Sequence, residues 1–151
     1  MTDALLKGIA AAASAETEPR ETRAKHVAQI IRDRRGYRWV GIYDVGDDEV
    51  SLIAYAGTAA PAYPTFPIGK GLTGVAITKR ATVISNDVAH DPSYLTAFSS
   101  TGSEAIVPVL GAESGVVIGT LDVESAQIDA FTQDDQHFLE ACASSLVGLF
   151  E

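Results

Sequence analysis

Two strand–turn–strand patterns, separated by a long irregular stretch, constrain the fold of this chain more than any other feature. The first has β-rich runs at 39–45 and 50–56, and the second has them at 105–110 and 116–124. In each pair a short turn rich in glycine and acidic residues joins the two runs. Because this spacing is typical of β-hairpins, we expect antiparallel pairing within each pair.

Segments with helical periodicity precede the first hairpin and follow the second. Apolar residues recur at helical spacing over 3–14 and 20–34, and Pro19 separates these two segments. A further helix is expected after Thr132, whose hydroxyl can cap it, with Asp135 three residues later. Helices on one face of an antiparallel sheet define an α+β architecture.

The stretch between the hairpins is expected to contain a loop and several short elements. Residues 57–71 are rich in proline and glycine, so an irregular loop is expected there. A short helix over 72–78, a strand over 82–84 and a helical turn over 91–95 are expected to follow. This stretch would roof the sheet face that the terminal helices leave free. Small molecules tend to bind in a pocket of this kind.

Composition limits the class of protein. The chain has 151 residues, 46% of them hydrophobic, which suits one globular domain. A single cysteine, Cys142, excludes a disulfide scaffold and a thiolate zinc site, and it indicates a reducing cytoplasm. A net charge of −9 disfavours nucleic acid and anionic membranes as partners. No apolar stretch approaches the roughly 20 residues of a membrane span.

Alternation along the first strand separates an aromatic side from an aliphatic one. Trp39, Gly41 and Tyr43 share one side, and Val40 and Ile42 share the other. Since the aliphatic side can seal the sheet against the terminal helices, Trp39 and Tyr43 are expected to face the roof.

The last strand has acidic residues on one side. Asp122 and Glu124 share that side, and Glu104 begins the strand expected to pair next to them. If all three carboxyls enter the roofed space, burial and mutual repulsion must raise the pKa of at least one. The alternative is that Asp122 and Glu124 line a solvent-exposed face or rim of the sheet while Trp39 and Tyr43 are core residues.

Three other features have weaker meaning. Gly69-Lys70-Gly71 precedes a short helix and either offers backbone N–H groups to an anion or is only a strand-to-helix connection. His26, His90 and His137 are scattered, and their spacing predicts no metal site. Cys142 lies in the apolar stripe of the last helix, where a buried, unreactive thiol is expected.

Several short motifs occur along the chain in a distinctive order. They are Trp39-Val-Gly-Ile-Tyr43, Phe66-Pro-Ile-Gly-Lys-Gly-Leu-Thr-Gly74, Asn86-Asp87-Val88, Ser103-Glu104, Pro108-Val109, Gly119-Thr-Leu-Asp122-Val-Glu124-Ser125 and Phe131-Thr-Gln-Asp-Asp135. In combination they resemble the GAF domain and, more narrowly, the small GAF proteins that reduce free methionine-R-sulfoxide.

The resemblance covers about residues 20–150 and implies an architecture. It implies one domain, with N-terminal helices in 1–35, a six-stranded antiparallel sheet and pocket loops in 36–130, and a C-terminal helix in 131–151. It also implies a small-molecule pocket under the loops and homodimerisation. No cofactor is expected.

The resemblance further implies a ligand-binding set. Trp39 and Tyr43 fall where the reductases build an aromatic wall around the sulfoxide methyl group. Glu104, Asp122 and Glu124 fall where they place carboxylates for the amino group and the sulfoxide oxygen, although the family more often has Asp at the last position.

The thiols of the reductases fall on Tyr63, Thr73 and Ala97, which belong to the expected ligand-binding set but are not cysteines. Sulfoxide reduction by thiols requires a nucleophilic thiolate and a second thiol that resolves the intermediate. Cys142 lies away from these motifs.

We therefore expect a non-catalytic domain that binds an amino-acid-like molecule and acts as a sensor or signalling module. One alternative is a free methionine-R-sulfoxide reductase that uses Cys142 or an external thiol. The other is a structural dimerisation module with a vestigial pocket.

Overall fold

The computed structural model describes residues 2–151 and has four α-helices and one six-stranded sheet. The helices are α1 (Thr2–Ala13), α2 (Arg20–Arg35), α3 (Gly71–Lys79) and α4 (Gln133–Ser144). The strands are β1 (Trp39–Val45), β2 (Glu49–Ala56), β3 (Thr65–Pro67), β4 (Val83–Ser85), β5 (Ser103–Leu110) and β6 (Val117–Ser125). Short 3₁₀ turns occupy Val88–His90 and Val147–Leu149.

The sheet order is β3-β2-β1-β6-β5-β4, and every neighbouring pair is antiparallel. Both predicted hairpins are present, and one strand of each, β1 and β6, pair at the centre of the sheet. The predicted α+β architecture with a six-stranded antiparallel sheet is therefore confirmed.

The main core lies between the sheet and the helices α1, α2 and α4. Val40 and Ile42 of β1 pack there with Leu121 and Val123 of β6, as the alternation predicts. From the helices, Ile31 and Leu139 are among the fully buried residues of the same cluster. Most side chains on this side of the sheet are aliphatic, Phe131 and Phe138 join them, and their burial supplies the bulk of the hydrophobic stabilisation.

Two helix ends are stabilised by local hydrogen bonds, and the first of them was predicted. The Thr132 hydroxyl accepts from the Asp135 N–H at 3.2 Å, and the Asp135 carboxylate accepts from the Thr132 N–H at 3.0 Å, which completes a capping box. At the end of α2, Gly36 has φ 67°, and its N–H donates to the Arg32 carbonyl.

The expectation of an irregular loop over residues 57–71 is wrong in one part. Residues Thr65–Pro67 form β3, which pairs with residues 49–51 of β2. Because β3 is an edge strand, Pro67 removes no hydrogen bond that a second neighbour would need. Proline is therefore compatible with this short strand.

Other boundaries also differ. The expected helical turn at 91–95 is a turn closed by the Tyr94 N–H and the Asp91 carbonyl at 3.2 Å, and the 3₁₀ turn lies earlier, at Val88–His90. The strand expected at 82–84 lies at Val83–Ser85. Among residues 2–151, no helix combines the length and apolar character that crossing a membrane requires.

Candidate functional site

A small cavity lies between the sheet and the segments that roof its second face. Strands β1, β5 and β6 contribute Tyr43, Glu104 and Asp122 to its lining. The remaining lining residues come from β3, α3 and the roof segments, and they are Tyr63, Phe66, Gly71, Leu72, Thr73, Leu95 and Ala97. Its free volume is about 20 Å³, enough for one water molecule or a single ion.

Strand register explains why these side chains meet. Gly41 lies opposite Asp122 across the β1–β6 pair, and Glu104 lies opposite Glu124 across the β5–β6 pair. Directly opposed residues in antiparallel strands point to the same side of the sheet. The three acidic residues are therefore concentrated on the roofed side of two adjacent strands.

The carboxyl groups of Glu104, Asp122 and Glu124 form a compact cluster, here called the acidic triad. One oxygen from each lies within 4.8 Å of the others. The residues are 5%, 5% and 1% exposed, respectively. The alternative in which Asp122 and Glu124 line a solvent-exposed face is therefore wrong.

Burial is the main influence on the ionisation of the triad. Desolvation raises the pKa of all three carboxyls, and the negative charge of Asp122 raises the pKa of Glu104 further. Hydrogen bonds from Thr101 and Tyr94 act in the opposite direction on the pKa of Glu124. Because the three carboxyls lie close together, protonation of one changes the pKa of its neighbours.

The hydrogen bonding of the triad is incomplete. Glu124 Oε1 accepts from the Thr101 hydroxyl at 2.6 Å and from the Tyr94 hydroxyl at 3.2 Å. Among residues 2–151, Asp122 Oδ1 and Glu124 Oε2 are buried oxygens without a hydrogen-bond partner. Buried carboxylate oxygens normally have partners, so these two atoms mark a place where a donor or a cation would be favourable.

Trp39 and Glu124 belong to the surroundings of the cavity rather than to its lining. The Trp39 indole lies over Gly41, where a Cβ atom would collide with the ring. It stacks on Tyr55 with centroids 5.9 Å apart, and its Nε1 donates to the Ala59 carbonyl at 3.1 Å. The sheet side that bears Trp39 and Tyr43 is roofed, as the alternation predicts.

Tyr63, Thr73 and Ala97 all line the cavity. Thr73 lies in the first turn of α3 and is buried, whereas Tyr63 is 50% exposed at the mouth. The Ala62 N–H donates to the Ala97 carbonyl at 3.1 Å. This hydrogen bond joins the two roof segments above the cavity.

Cys142 lies on the other side of the sheet. It is fully buried in the cluster that contains Val40, Leu121 and Leu139. Burial raises the pKa of its thiol to about 12, so a thiolate is scarce at neutral pH. The sheet separates this thiol from the cavity.

Sequence reasoning missed several residues of the site. Phe66 and Leu72 belong to a motif quoted above, and their apolar character was a usable signal. Tyr94 and Thr101 had no such signal, because their contacts with Glu124 depend on the path of the roof segment.

An antiparallel sheet with helices on one side and a roofed acidic cavity on the other defines a class of small α+β domain. The profile of the GAF domain family matches residues 17–148, and the chain belongs to that family.

Known relatives agree with this assignment. GAF domain-containing protein A of Dictyostelium discoideum is 29% identical over 114 residues, which cover 76% of this chain and 70% of that protein. The free methionine-R-sulfoxide reductase of Escherichia coli is 25% identical over 131 residues, covering 87% of this chain and 77% of the enzyme. A crystal structure of the Neisseria meningitidis reductase with its substrate superposes with a TM-score of 0.85 at 29% identity, covering 99% of this chain and 87% of that chain. The resemblance to both the family and its reductases is confirmed.

Proposed function

We propose that this protein is a non-catalytic GAF domain that binds a small amino-acid-like molecule and acts as a sensor or signalling module. The observation that supports this most directly is the buried acidic triad with its two unpartnered oxygens. Within residues 2–151, no lysine or arginine forms an ion pair with the triad. An ammonium group supplies three N–H donors and a positive charge, which this arrangement needs.

The other end of the cavity suits the carboxylate of such a ligand. Gly71, Leu72 and Thr73 line the cavity at the beginning of α3, where backbone N–H groups have no partner within the helix. The helix dipole also favours a negative charge there. The site therefore offers an acidic end for an ammonium group and an N–H-rich end for a carboxylate.

The middle of the cavity is apolar and aromatic. Tyr43, Phe66 and Leu95 contribute to this part of the lining. An amino acid with a short, uncharged side chain such as methionine or its sulfoxide fits this chemistry. Because the free volume is about 20 Å³, the roof segments around Tyr63 and Ala97 must separate to admit it. Movement of the roof on binding is then the event that a sensor would transmit.

The position of the only cysteine argues against thiol catalysis in this cavity. A sulfoxide sulfur held near Tyr43 would lie across the sheet from the Cys142 thiol. The residues where the resemblance places the reductase thiols are Tyr63, Thr73 and Ala97. None of these side chains can form a disulfide.

Titration calorimetry with L-methionine-R-sulfoxide and L-methionine tests the proposal. All titrations contain EDTA. Saturable binding is expected, together with loss of binding for 4-(methylsulfinyl)butanoic acid, which lacks only the amino group. Asp122→Asn should weaken binding at least about tenfold, whereas Asp47→Asn in an exposed turn should not change it. If no amino acid binds, the structural dimerisation module with a vestigial pocket becomes the better hypothesis.

The reductase relatives favour a second candidate function, reduction of free methionine-R-sulfoxide with Cys142 or an external thiol. A thioredoxin-coupled assay of free methionine-R-sulfoxide separates the two functions. We expect no turnover. Turnover that Cys142→Ser abolishes would identify an enzyme that exposes this thiol, and turnover that survives in Cys142→Ser would indicate an external thiol.

We further propose that the protein is cytoplasmic and passes its signal through a homodimer. Light scattering coupled to gel filtration, with and without L-methionine-R-sulfoxide, tests the dimer. A monomer at all protein concentrations would contradict this part of the proposal.

A further inference from the structure

The acidic triad has a second property that does not depend on an amino-acid ligand. We propose that Glu104, Asp122 and Glu124 form a binding site for a divalent cation of the size of Ca²⁺. Carboxylate oxygens are the preferred ligands of such hard cations. Within residues 2–151, this is the group of His, Cys, Asp and Glu side chains whose ligand atoms are close enough to share one ion.

The distances fit an ion of this size. Because the three oxygens lie within 4.8 Å of one another, a point exists within about 2.8 Å of all three. Ca²⁺ binds oxygen at about 2.3–2.6 Å, whereas Mg²⁺ requires about 2.0–2.1 Å and near-ideal octahedral geometry. Small side-chain adjustments would bring the triad to Ca²⁺ distances, but a larger contraction would be needed for Mg²⁺.

The unpartnered oxygens of the triad are a second observation that points to a cation. Asp122 is 5% exposed and Glu124 is 1% exposed, and each has one buried oxygen without a hydrogen-bond partner. The other oxygen of Glu124 is held by the Thr101 and Tyr94 hydroxyls. Hydrogen bonds of this kind orient a carboxylate toward a metal ion.

Space also favours a single ion. Glu104 and Asp122 line a cavity of about 20 Å³, which has room for an ion or a water molecule without movement of the roof. An amino acid requires the roof to open, but an ion does not require this once it has entered. An ion and an ammonium group would need the same oxygens, so they should exclude each other.

Terbium(III), a luminescent ion of similar size to Ca²⁺, provides the probe. Trp39 and Tyr43 of β1 lie on the same face of the sheet as the triad and can sensitise terbium emission. Chelator-treated wild-type protein should show saturable emission with one ion per chain, and added Ca²⁺ should displace the terbium more effectively than Mg²⁺. Calorimetry with Ca²⁺ alone should give the same stoichiometry.

Matched variants locate the ion. Asp122→Asn and Glu104→Gln should each weaken Tb³⁺ and Ca²⁺ binding at least about tenfold, and Asp47→Asn, which removes the same charge from an exposed turn, should not. Circular dichroism identifies any variant that fails to fold, and the other triad variant then decides. Absence of saturable binding in the wild type, or equal binding in the triad variants and Asp47→Asn, would overturn the proposal.

The amino-acid proposal is tested separately, because its titrations contain EDTA. Amino-acid binding without ion binding would overturn only the cation site. Ion binding without amino-acid binding would overturn only the proposed function. When both bind, Ca²⁺ should lower the apparent affinity for L-methionine-R-sulfoxide, and equal affinity with and without Ca²⁺ would contradict the shared site.

Discussion

The two faces of the central strands differ in chemistry, although successive residues of the same strands supply them in turn. The face toward α2 and α4 bears aliphatic side chains, namely Val40, Ile42, Leu121 and Val123. The roofed face bears aromatic, hydroxyl and acidic ones, namely Trp39, Tyr43, Thr120, Asp122 and Glu124. Both faces are buried, so burial alone does not distinguish a core from a site.

The two faces differ in whether their buried polar groups have hydrogen-bond partners. The helix face buries few groups that need a partner, whereas the roofed face includes buried oxygens of Thr120, Asp122 and Glu124 that have none in residues 2–151. Such atoms destabilise the folded state. A fold with a stable aliphatic face can retain an unfavourable face where a ligand or an ion supplies the missing contacts.

Truncation on the helix face should have the largest effect. Leu121 is fully buried at the centre of the sheet, so Leu121→Ala should lower the free energy of unfolding by about 3 kcal/mol. Urea denaturation measures this value. Val116→Ala, at a side chain that is 58% exposed, should change it by less than about 0.5 kcal/mol. Similar effects of the two variants would contradict the assignment of the core.

Crowding the roofed face should have the next largest effect. The Cβ atom in Gly41→Ala would collide with the Trp39 indole, so we expect a loss of about 2 kcal/mol in the free energy of unfolding. Trp39 is the only tryptophan, and its fluorescence should shift as the ring moves.

The control for this change is Gly8→Ala on α1, where a Cβ atom meets no neighbour within 4 Å. That variant should be more stable by up to about 1 kcal/mol, because alanine favours a helix. An unchanged Trp39 emission in Gly41→Ala would show that the indole does not lie over this glycine.

The alternation of the strands was readable from the sequence, and with it the separation of Trp39 and Tyr43 from Val40 and Ile42. The burial of Asp122 was not, because an acidic residue on alternate positions has the same pattern on a solvent-exposed face and under a roof. Only the path of the roof segment, which no local pattern encodes, decides between them.

Local signals also failed where pairing depends on a distant segment. Phe66 lies between prolines and glycines, which predict a loop, yet pairing with Val50 of β2 makes it part of a strand. Thr132 and Asp135 show the opposite case, since a capping box requires only residues that are close in sequence. Short-range chemistry was therefore predictable, and long-range contacts were not.

Replacing a carboxyl of the acidic triad by an uncharged amide should raise the free energy of unfolding, whereas truncation of the core lowers it. Asp122→Asn removes a buried charge, and the amide can donate hydrogen bonds to Glu104 and Glu124, so the free energy of unfolding at pH 7 should rise by about 1 kcal/mol. Urea denaturation in EDTA measures the change, and Asp47→Asn is the control. A loss of stability would mean that Asp122 forms favourable contacts within the unliganded fold.

The pH dependence of the free energy of unfolding should reveal the same unfavourable charges. Because the folded state raises the pKa of the triad carboxyls, it binds more protons than the unfolded chain above about pH 4. The free energy of unfolding should therefore fall as pH rises from 5 to 8. The lowered pKa of Asp135 acts below this range, and the raised pKa of the Cys142 thiol acts above it. Asp122→Asn should flatten the decline while Asp47→Asn leaves it unchanged, and a stability that rises over this range in wild-type protein would show that the triad is ionised and stabilised by partners.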